Sequence, residues 1–182
     1  MRMNWRSVAL SSLLLLTLLA AAETRPRYGG VLRVEIAAPV QSLDPVVDPR
    51  NPAIPLLYDT LVSIDDSGKV KPALAVAWQQ ETDRRLRLTL RHGATFADGT
   101  AVTSAAIAGI LRGISSDWTV TAGPEAIAIE TAAPRPGLLA QLALPQNSIV
   151  LRSAQKIIGS GVFTVKDWQP GIKLVLQARQ DA

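Results

Sequence analysis

The feature that most limits the fold is a strand that runs directly into a turn and a helix. In residues 85–91, Leu86, Leu88 and Leu90 alternate with arginine and threonine. Successive side chains of a strand point to opposite faces, so this alternation predicts a half-buried strand with its leucines inward and its arginines outward. It is the clearest strand in a sequence that otherwise mixes α and β patterns without repeats.

The residues after this strand predict a compact corner. Asp98-Gly99 is typical of a chain reversal that needs a positive φ, and the hydroxyl of Thr103 suits the N-cap of a helix. The helix itself is predicted from an apolar stripe at i, i+3, i+4 and i+7, which comprises Ile107, Ile110, Leu111 and Ile114. We expect the helix to end near Gly113 and Phe96 to pack beneath the corner, which makes the stretch a structural element and not an active site.

The segments before the corner are predicted from the spacing of their apolar residues and from the positions of prolines and turn residues. Residues 31–36 indicate a strand, and the five prolines between 39 and 55 indicate a long structured loop. An apolar stripe from Ile54 to Leu61 predicts a helix with Asn51 as its cap. Beyond it we predict a turn at 65–68 and a short helical turn from Lys71 to about Trp78.

The segments after the corner are predicted in the same way. They are a strand at 126–131, a short helix at 138–144 and a final hairpin with strands at 162–165 and 172–176. Pro170-Gly171 suits the central positions of a type II turn between the hairpin strands.

The N-terminus has the pattern of a secretory signal peptide. Arg2 and Arg6 precede an apolar run, Val8–Leu19, and the small residues Ala20–Ala22 follow it. The run is shorter than the roughly 20 apolar residues of a membrane span. We therefore expect residues 1–22 to be removed on export, the alternative being an uncleaved N-terminal anchor.

The residue types present exclude several function classes. There is no cysteine, so we expect neither disulfides nor a lipoprotein anchored through an N-terminal cysteine. The single histidine, His92, lies at a strand end and offers neither a catalytic triad nor a metal site. We predict no catalytic residues, no metal and no cofactor. The basic residues are scattered, which argues against nucleic-acid binding.

The corner resembles that of the family 5 solute-binding proteins of ABC importers, which include oligopeptide, dipeptide and nickel binders. The matching corner residues are Arg91, Gly93, Phe96, Asp98, Gly99 and Thr103. Three further stretches are similar to the family in the same order, so the resemblance covers about residues 29–179. They are GGVLRVEIAAPVQSLDP, LYDTLVSIDDSGKVKPALAVAW with Tyr58 and Trp78, and IGSGVFTVKDWQPGIKLVLQAR with Gly159, Gly161 and Phe163. Val162 departs from the proline usual in the last motif.

The resemblance implies a mixed α/β fold comprising part of a periplasmic-binding-protein-like lobe I and a small extra domain. It implies a signal peptide at 1–22, a first segment of lobe I at 23–46, the small domain at 47–154 and a return to lobe I at 155–182. The second lobe is expected to be missing, so the chain would be a fragment. We expect the isolated chain to be marginally stable, because apolar sheet surface would lack its cover.

The resemblance also implies a function. The chain would be a monomeric, periplasmic or secreted binding protein that captures a peptide or another small solute and delivers it to an ABC permease. The ligand-facing residues would be those of the loop after the first strand: Pro39, Val40, Gln41, Ser42 and Leu43. The alternative for this loop is that it only covers lobe I. The alternative for the chain is a small secreted structural domain or part of an enzyme.

Overall fold

The fold is mixed α/β, and strands outnumber helices. The computed structural model describes residues 31–32, 39–153 and 156–180. The described strands are β1 (Val31–Leu32), β2 (Val62–Ile64), β3 (Val70–Pro72), β4 (Ala75–Gln80), β5 (Arg85–Leu90), β6 (Trp118–Ala122), β7 (Ala126–Thr131), β8 (Leu151–Arg152), β9 (Ile157–Ile158), β10 (Phe163–Gln169) and β11 (Lys173–Ala178). The described helices are α1 (Ile54–Leu57), α2 (Ser104–Ile114) and α3 (Leu138–Gln141), with a 3-10 turn at Pro145–Asn147.

The main core lies on one face of a four-stranded antiparallel sheet with the strand order β4-β5-β7-β6. Leu86, Leu88 and Leu90 are buried on β5, and Arg87 and Thr89 are exposed, so the predicted alternation is confirmed. The predicted strand at 126–131 is also confirmed as β7. Helix α2 packs its apolar stripe on β6 and β7, with Ile107 and Leu111 fully buried.

The predicted corner is confirmed in its local geometry. Ala106 N donates to Thr103 Oγ1 at 3.1 Å, which caps α2, and the helix ends at Ile114. Gly99 has a φ of 83°, and its amide donates to the Phe96 carbonyl at 2.9 Å. The Phe96 side chain is 0% exposed beneath this turn.

We expect Thr103→Ala to destabilise the protein by about 1 kcal/mol, because it leaves one amide of the first helical turn without a partner. The measurement is the free energy of unfolding in urea. Thr119→Ala changes an exposed threonine of β6 that has no capping role, and it is expected to stay within about 0.5 kcal/mol of the wild type. Equal losses in the two variants would contradict the capping role.

One predicted helical segment is wrong, and another is shorter than predicted. Residues 71–78 form β3 and the start of β4 and not a helical turn, because β4 pairs with β5 and places Trp78 opposite Leu88. That pairing outweighs the weak helical preference of alanine. Helix α1 ends at Leu57 and not near Leu61, since Tyr58 is extended with φ −135°. Its N-cap is Ala53, and Asn51 Oδ1 accepts a hydrogen bond from the Ala53 amide.

A second, smaller core joins the end of the chain to its first loop. The predicted hairpin is confirmed as β10 and β11, with Gly171 at φ 74° and Ile172 N donating to the Gln169 carbonyl at 3.0 Å. Strand β1 pairs with β11. The second core contains Leu43, Ala53, Ile54, Leu57, Tyr58, Val150 and Leu176. The predicted signal peptide and residues 33–36 of the predicted first strand lie outside the described residues.

Candidate functional site

The predicted ligand loop is docked on the tip of the β10–β11 hairpin. The Val40 carbonyl accepts hydrogen bonds from Gly171 N at 2.9 Å and from Trp168 Nε1 at 3.4 Å. Pro39 and Gln41 are exposed. The Val40 carbonyl is therefore already used by the protein, which leaves little room for an extended ligand to pair with the backbone there.

The second half of the loop packs toward the interior. Leu43 is 8% exposed and belongs to the second core. Ser42 is held from both sides, since its carbonyl accepts from Asn51 Nδ2 at 2.8 Å and its hydroxyl accepts from Asp44 N at 3.1 Å. These contacts fix the path of the chain into Asp44.

Asp44 forms a bidentate ion pair with Arg152, 108 residues away in the sequence. The Arg152 Nη1 and Nη2 atoms donate to Asp44 Oδ2 and Oδ1 at 2.6 and 2.9 Å. The hydrogen bonds from Arg152 lower the pKa of Asp44, and the carboxylate raises the pKa of Arg152. Two grooves meet at this pair, because both residues line each of them.

The first groove, called here the valine groove, lies between the turn at 44–47 and helix α2 and has a volume of about 600 Å³. Val46 and Val47 are 58% and 70% exposed at its rim. Gly109 and Gly113 of α2 also line it, and nothing lies within 4 Å of a methyl group placed on either glycine. The groove is therefore apolar, open and lined by backbone that a ligand could approach closely.

The second groove, called here the aromatic groove, has a volume of about 840 Å³ and lies between the loop, the corner and β10. Ser42 and Leu43 of the predicted ligand loop line it. Residues expected to be structural also line it, namely Tyr58, Asp98, Gly159 and Phe163, together with Trp168 and Lys156. Each of the four stretches that carry the family resemblance thus contributes residues to this groove. The other residues expected to be structural do not line it: Trp78, Phe96, Gly99, Thr103 and Gly161.

The Gly159-Ser160-Gly161 segment is a place of close backbone approach. A methyl group on Gly161 would lie 2.5 Å from the Leu56 carbonyl oxygen, and one on Gly159 would lie 2.2 Å from Tyr58 Cδ1. Gly161 N donates to the Leu57 carbonyl at 3.1 Å, and Ser160 Oγ donates to Asp59 Oδ2 at 3.0 Å. The two glycines are needed because the segment packs directly on the end of α1.

We expect Gly161→Ala to cost about 1–3 kcal/mol, because the contacted atoms are backbone and cannot turn aside. The measurement is again unfolding in urea. Gly109→Ala is the matched control, since a methyl group meets nothing there and alanine favours a helix by up to about 1 kcal/mol. The close approach would be refuted if both variants were stabilised.

Arg179 joins the corner to the last hairpin through a set of hydrogen bonds, called here the Arg179 clamp. Its Nη2 donates to Thr95 Oγ1 at 2.7 Å, and its Nη1 donates to the Thr95 carbonyl at 3.0 Å. Longer hydrogen bonds reach the Phe96 and Gly161 carbonyls, and its own amide donates to Val162. Arg179 and Arg152 were not singled out from the sequence, because only the long-range pairing of the fold gives these arginines their partners.

Asp59 is a partly buried carboxylate beside this clamp. Burial raises its pKa above the ordinary 3.8, and this effect outweighs the hydrogen bond from Ser160 and the positive charges of Arg91 and Arg179. A carboxyl with a raised folded pKa stabilises the fold when it is protonated. That stabilising contribution is fully present below pH 3.8 and is lost as the pH rises through the pKa of Asp59 in the folded protein.

We therefore expect Asp59→Asn to be at least as stable as the wild type at neutral pH, because the amide still accepts from Ser160 without the cost of a buried charge. The difference in melting temperature should shrink as the pH falls toward 3.8. Asp66→Asn, at an exposed turn, is the control. A large loss of stability for Asp59→Asn at neutral pH would show that its ion pairs outweigh desolvation.

The described residues contain neither a cluster of potential metal ligands nor a helix long and apolar enough to cross a membrane. His92 is exposed beside Glu125, with Nε2 3.5 Å from a carboxylate oxygen.

Comparison with known proteins identifies the family. Residues 69–181 match the model of the bacterial extracellular solute-binding proteins, family 5, in its middle part. The chain belongs to this family, as the sequence resemblance predicted. No curated protein matches the chain.

Solved structures agree with this assignment. A substrate-binding protein from Microbacterium hydrocarbonoxydans, complexed with 4-hydroxybenzoate hydrazide, is 28% identical with a TM-score of 0.68; the match covers 79% of this chain and 36% of that one. The nickel ABC transporter protein from Bacillus halodurans is 26% identical with a TM-score of 0.67, and the match covers 76% of this chain and 32% of that one. The murein tripeptide binding protein of Escherichia coli, 22% identical with a TM-score of 0.67, shares the fold over 78% of this chain and 36% of its own. The chain spans about a third of these proteins, and its fold is part of a periplasmic-binding-protein-like structure.

Proposed function

We propose that the chain serves as a solute-binding component of an ABC import system outside the cytoplasmic membrane. It would hold a peptide or another small solute without changing it chemically and help present that solute to a membrane permease. Family membership supports a binding role, and the neighbours in the structure comparison are binding proteins.

The valine groove is the surface that best supports this function. It combines exposed apolar side chains, Val46 and Val47, with two glycines of α2 that leave space for a ligand. The polar Asn147 and Ser148 are buried along the same groove, and the Asp44–Arg152 pair also lines it. An apolar wall with few polar groups is typical of small-molecule sites.

The proposal shifts the solute-facing part of the loop toward its C-terminal end. Of the residues predicted from the resemblance, Val40 and Leu43 are engaged with the hairpin and the second core. Pro39 and Gln41 are exposed but line neither groove, and Ser42 lines the aromatic groove, so the proposed solute contacts are those of Val46 and Val47. The proposed division keeps the loop in the first segment of lobe I, 23–46, and α2 in the small domain, 47–154, so the groove would lie between the two.

The test uses the full chain, a set of short peptides and nickel–histidine, with binding followed by calorimetric titration. Val47→Ser should weaken binding of whichever solute is taken, because it places a hydroxyl in an apolar contact. Val76→Ser is the matched control on β4, where the side chain is 46% exposed and does not line the groove. Equal affinity in the two variants would place the solute elsewhere, and turnover of the solute would refute a purely binding role.

A further inference from the structure

The aromatic groove is lined by a tyrosine hydroxyl group that forms no hydrogen bond with the described residues. The Tyr58 side chain is 5% exposed and lines the groove. Among the described residues, the one fully enclosed side-chain polar atom without a partner is Trp118 Nε1, so the unpaired Tyr58 hydroxyl is accessible from the groove. Burial raises the pKa of Tyr58 to about 12, so the group remains an O–H donor at physiological pH.

The charged groups of this groove are two carboxylates that already accept hydrogen bonds and two cations with N–H groups to spare. Both Asp44 carboxylate oxygens already accept from Arg152, and Asp98 Oδ1 accepts from Thr100 N at 2.9 Å. Lys156 lines the groove, and among the described residues no carboxylate forms an ion pair with its Nζ. Arg152 has five N–H groups, of which the pair with Asp44 uses two.

The remaining walls are apolar and flat. Phe163 and Trp168 of β10 and Leu57 of α1 line the groove, and the indole N–H of Trp168 faces Val40 and not the ligand space. A volume of about 840 Å³ accepts a molecule larger than a simple inorganic anion. The groove thus combines hydrogen-bond donors and two cationic side chains with aromatic surface.

We propose that the aromatic groove is a second binding site, separate from the valine groove, for a small carboxylic acid with an aromatic or branched apolar body. The carboxylate would accept from the Tyr58 hydroxyl and lie beside Lys156 and the free N–H groups of Arg152. The apolar body would pack against Phe163 and Trp168. The acid is favoured because the Tyr58 hydroxyl, Lys156 and Arg152 have O–H or N–H groups without a partner among the described residues, whereas both Asp44 oxygens are occupied.

The test compares 3-phenylpropionate with 3-phenylpropionamide, which have nearly the same shape and differ in charge. Binding to the full chain is followed by calorimetric titration and by the change in tryptophan fluorescence. We expect the acid to bind more tightly than the amide. Tyr58→Phe should weaken the acid about tenfold, since a hydrogen bond to a charged group is lost while the ring stays in place. Lys156→Gln should weaken it about two- to fivefold, as expected for an exposed charge.

Val47→Ser is the control, because it changes the valine groove and leaves the aromatic groove intact. Acid binding that survives Val47→Ser and falls in Tyr58→Phe supports a second site. Equal binding of acid and amide, full affinity in Tyr58→Phe, or no saturable binding of the acid would each overturn the proposal. These results are independent of whether Val47→Ser affects the transported solute, so the two proposals fail separately.

Discussion

Leu88→Asp is expected to unfold the protein or make it aggregate, whereas Arg87→Glu should leave it folded. Leu88 is 0% exposed at the centre of β5, between Trp78 of β4 and Ile127 of β7. An unpaired carboxylate buried there costs several kcal/mol, which is comparable with the roughly 5–15 kcal/mol that stabilises a whole domain. Arg87, one residue away, is exposed on the opposite face.

The measurement is thermal unfolding followed by circular dichroism, with size-exclusion chromatography to detect aggregates. Arg87→Glu should change the free energy of unfolding by no more than about 0.5 kcal/mol. The pair is a sharp control because both changes add a negative charge to the same strand. Similar melting shifts in the two variants would contradict the burial of one face of β5.

Phe96→Ala is expected to destabilise the protein by about 3–5 kcal/mol, the usual range for removing a buried aromatic ring. The ring is 0% exposed and belongs to the main core. Its carbonyl also accepts from Gly99 N and from Arg179, so a cavity below the corner would loosen the turn and the clamp together.

Urea unfolding measures this loss, and Ile172→Ala is the surface control because Ile172 is 83% exposed at the hairpin tip. Solute affinity in Phe96→Ala should fall only as far as the loss of folded protein explains. An unchanged melting temperature combined with a large loss of affinity would show that the corner contacts ligand and is not purely structural.

The parts of the fold that the sequence predicts well are governed by local patterns. The leucine alternation of β5, the capped apolar stripe of α2 and the Pro170-Gly171 turn each carry their own signal within about a dozen residues. The corner could be predicted for the same reason, because the Asp98-Gly99 turn and the capping Thr103 act on residues next to them in the sequence.

The wrong predictions concern segments whose structure depends on distant partners. Residues 75–80 contain alanines and no clear alternation, and they become strand β4 because β5 offers an edge to pair with. The stripe from Ile54 to Leu61 suggested one helix, yet Tyr58 leaves the helix to pack against Gly159, a hundred residues later. Strand β6 was not predicted for the same reason, since its pairing with β7 defines it.

The candidate site likewise combines features that local sequence predicts with features that depend on distant parts of the chain. The resemblance drew attention to residues 39–43, and two of them, Ser42 and Leu43, line the aromatic groove. The exposure of Val46 and Val47 and the pairing of Asp44 with Arg152 could not be predicted, because both depend on which distant parts of the chain lie beside this loop. Which carboxylate meets which arginine depends on the complete fold.

The clamp made by Arg179 has a consequence for the order in which the chain folds. All pairings of the four-stranded sheet lie between residues 75 and 131, so that sheet can form as soon as this segment is available. The hydrogen bond between Arg179 and Thr95 of the corner joins residues that are 84 positions apart in the sequence. The pair of Asp44 and Arg152 joins residues that are 108 positions apart. Closing such long loops costs conformational entropy before any contact is gained. We expect the four-stranded sheet to form first. The contacts of Arg179 with the corner and of Asp44 with Arg152 should form afterwards, on the folded sheet.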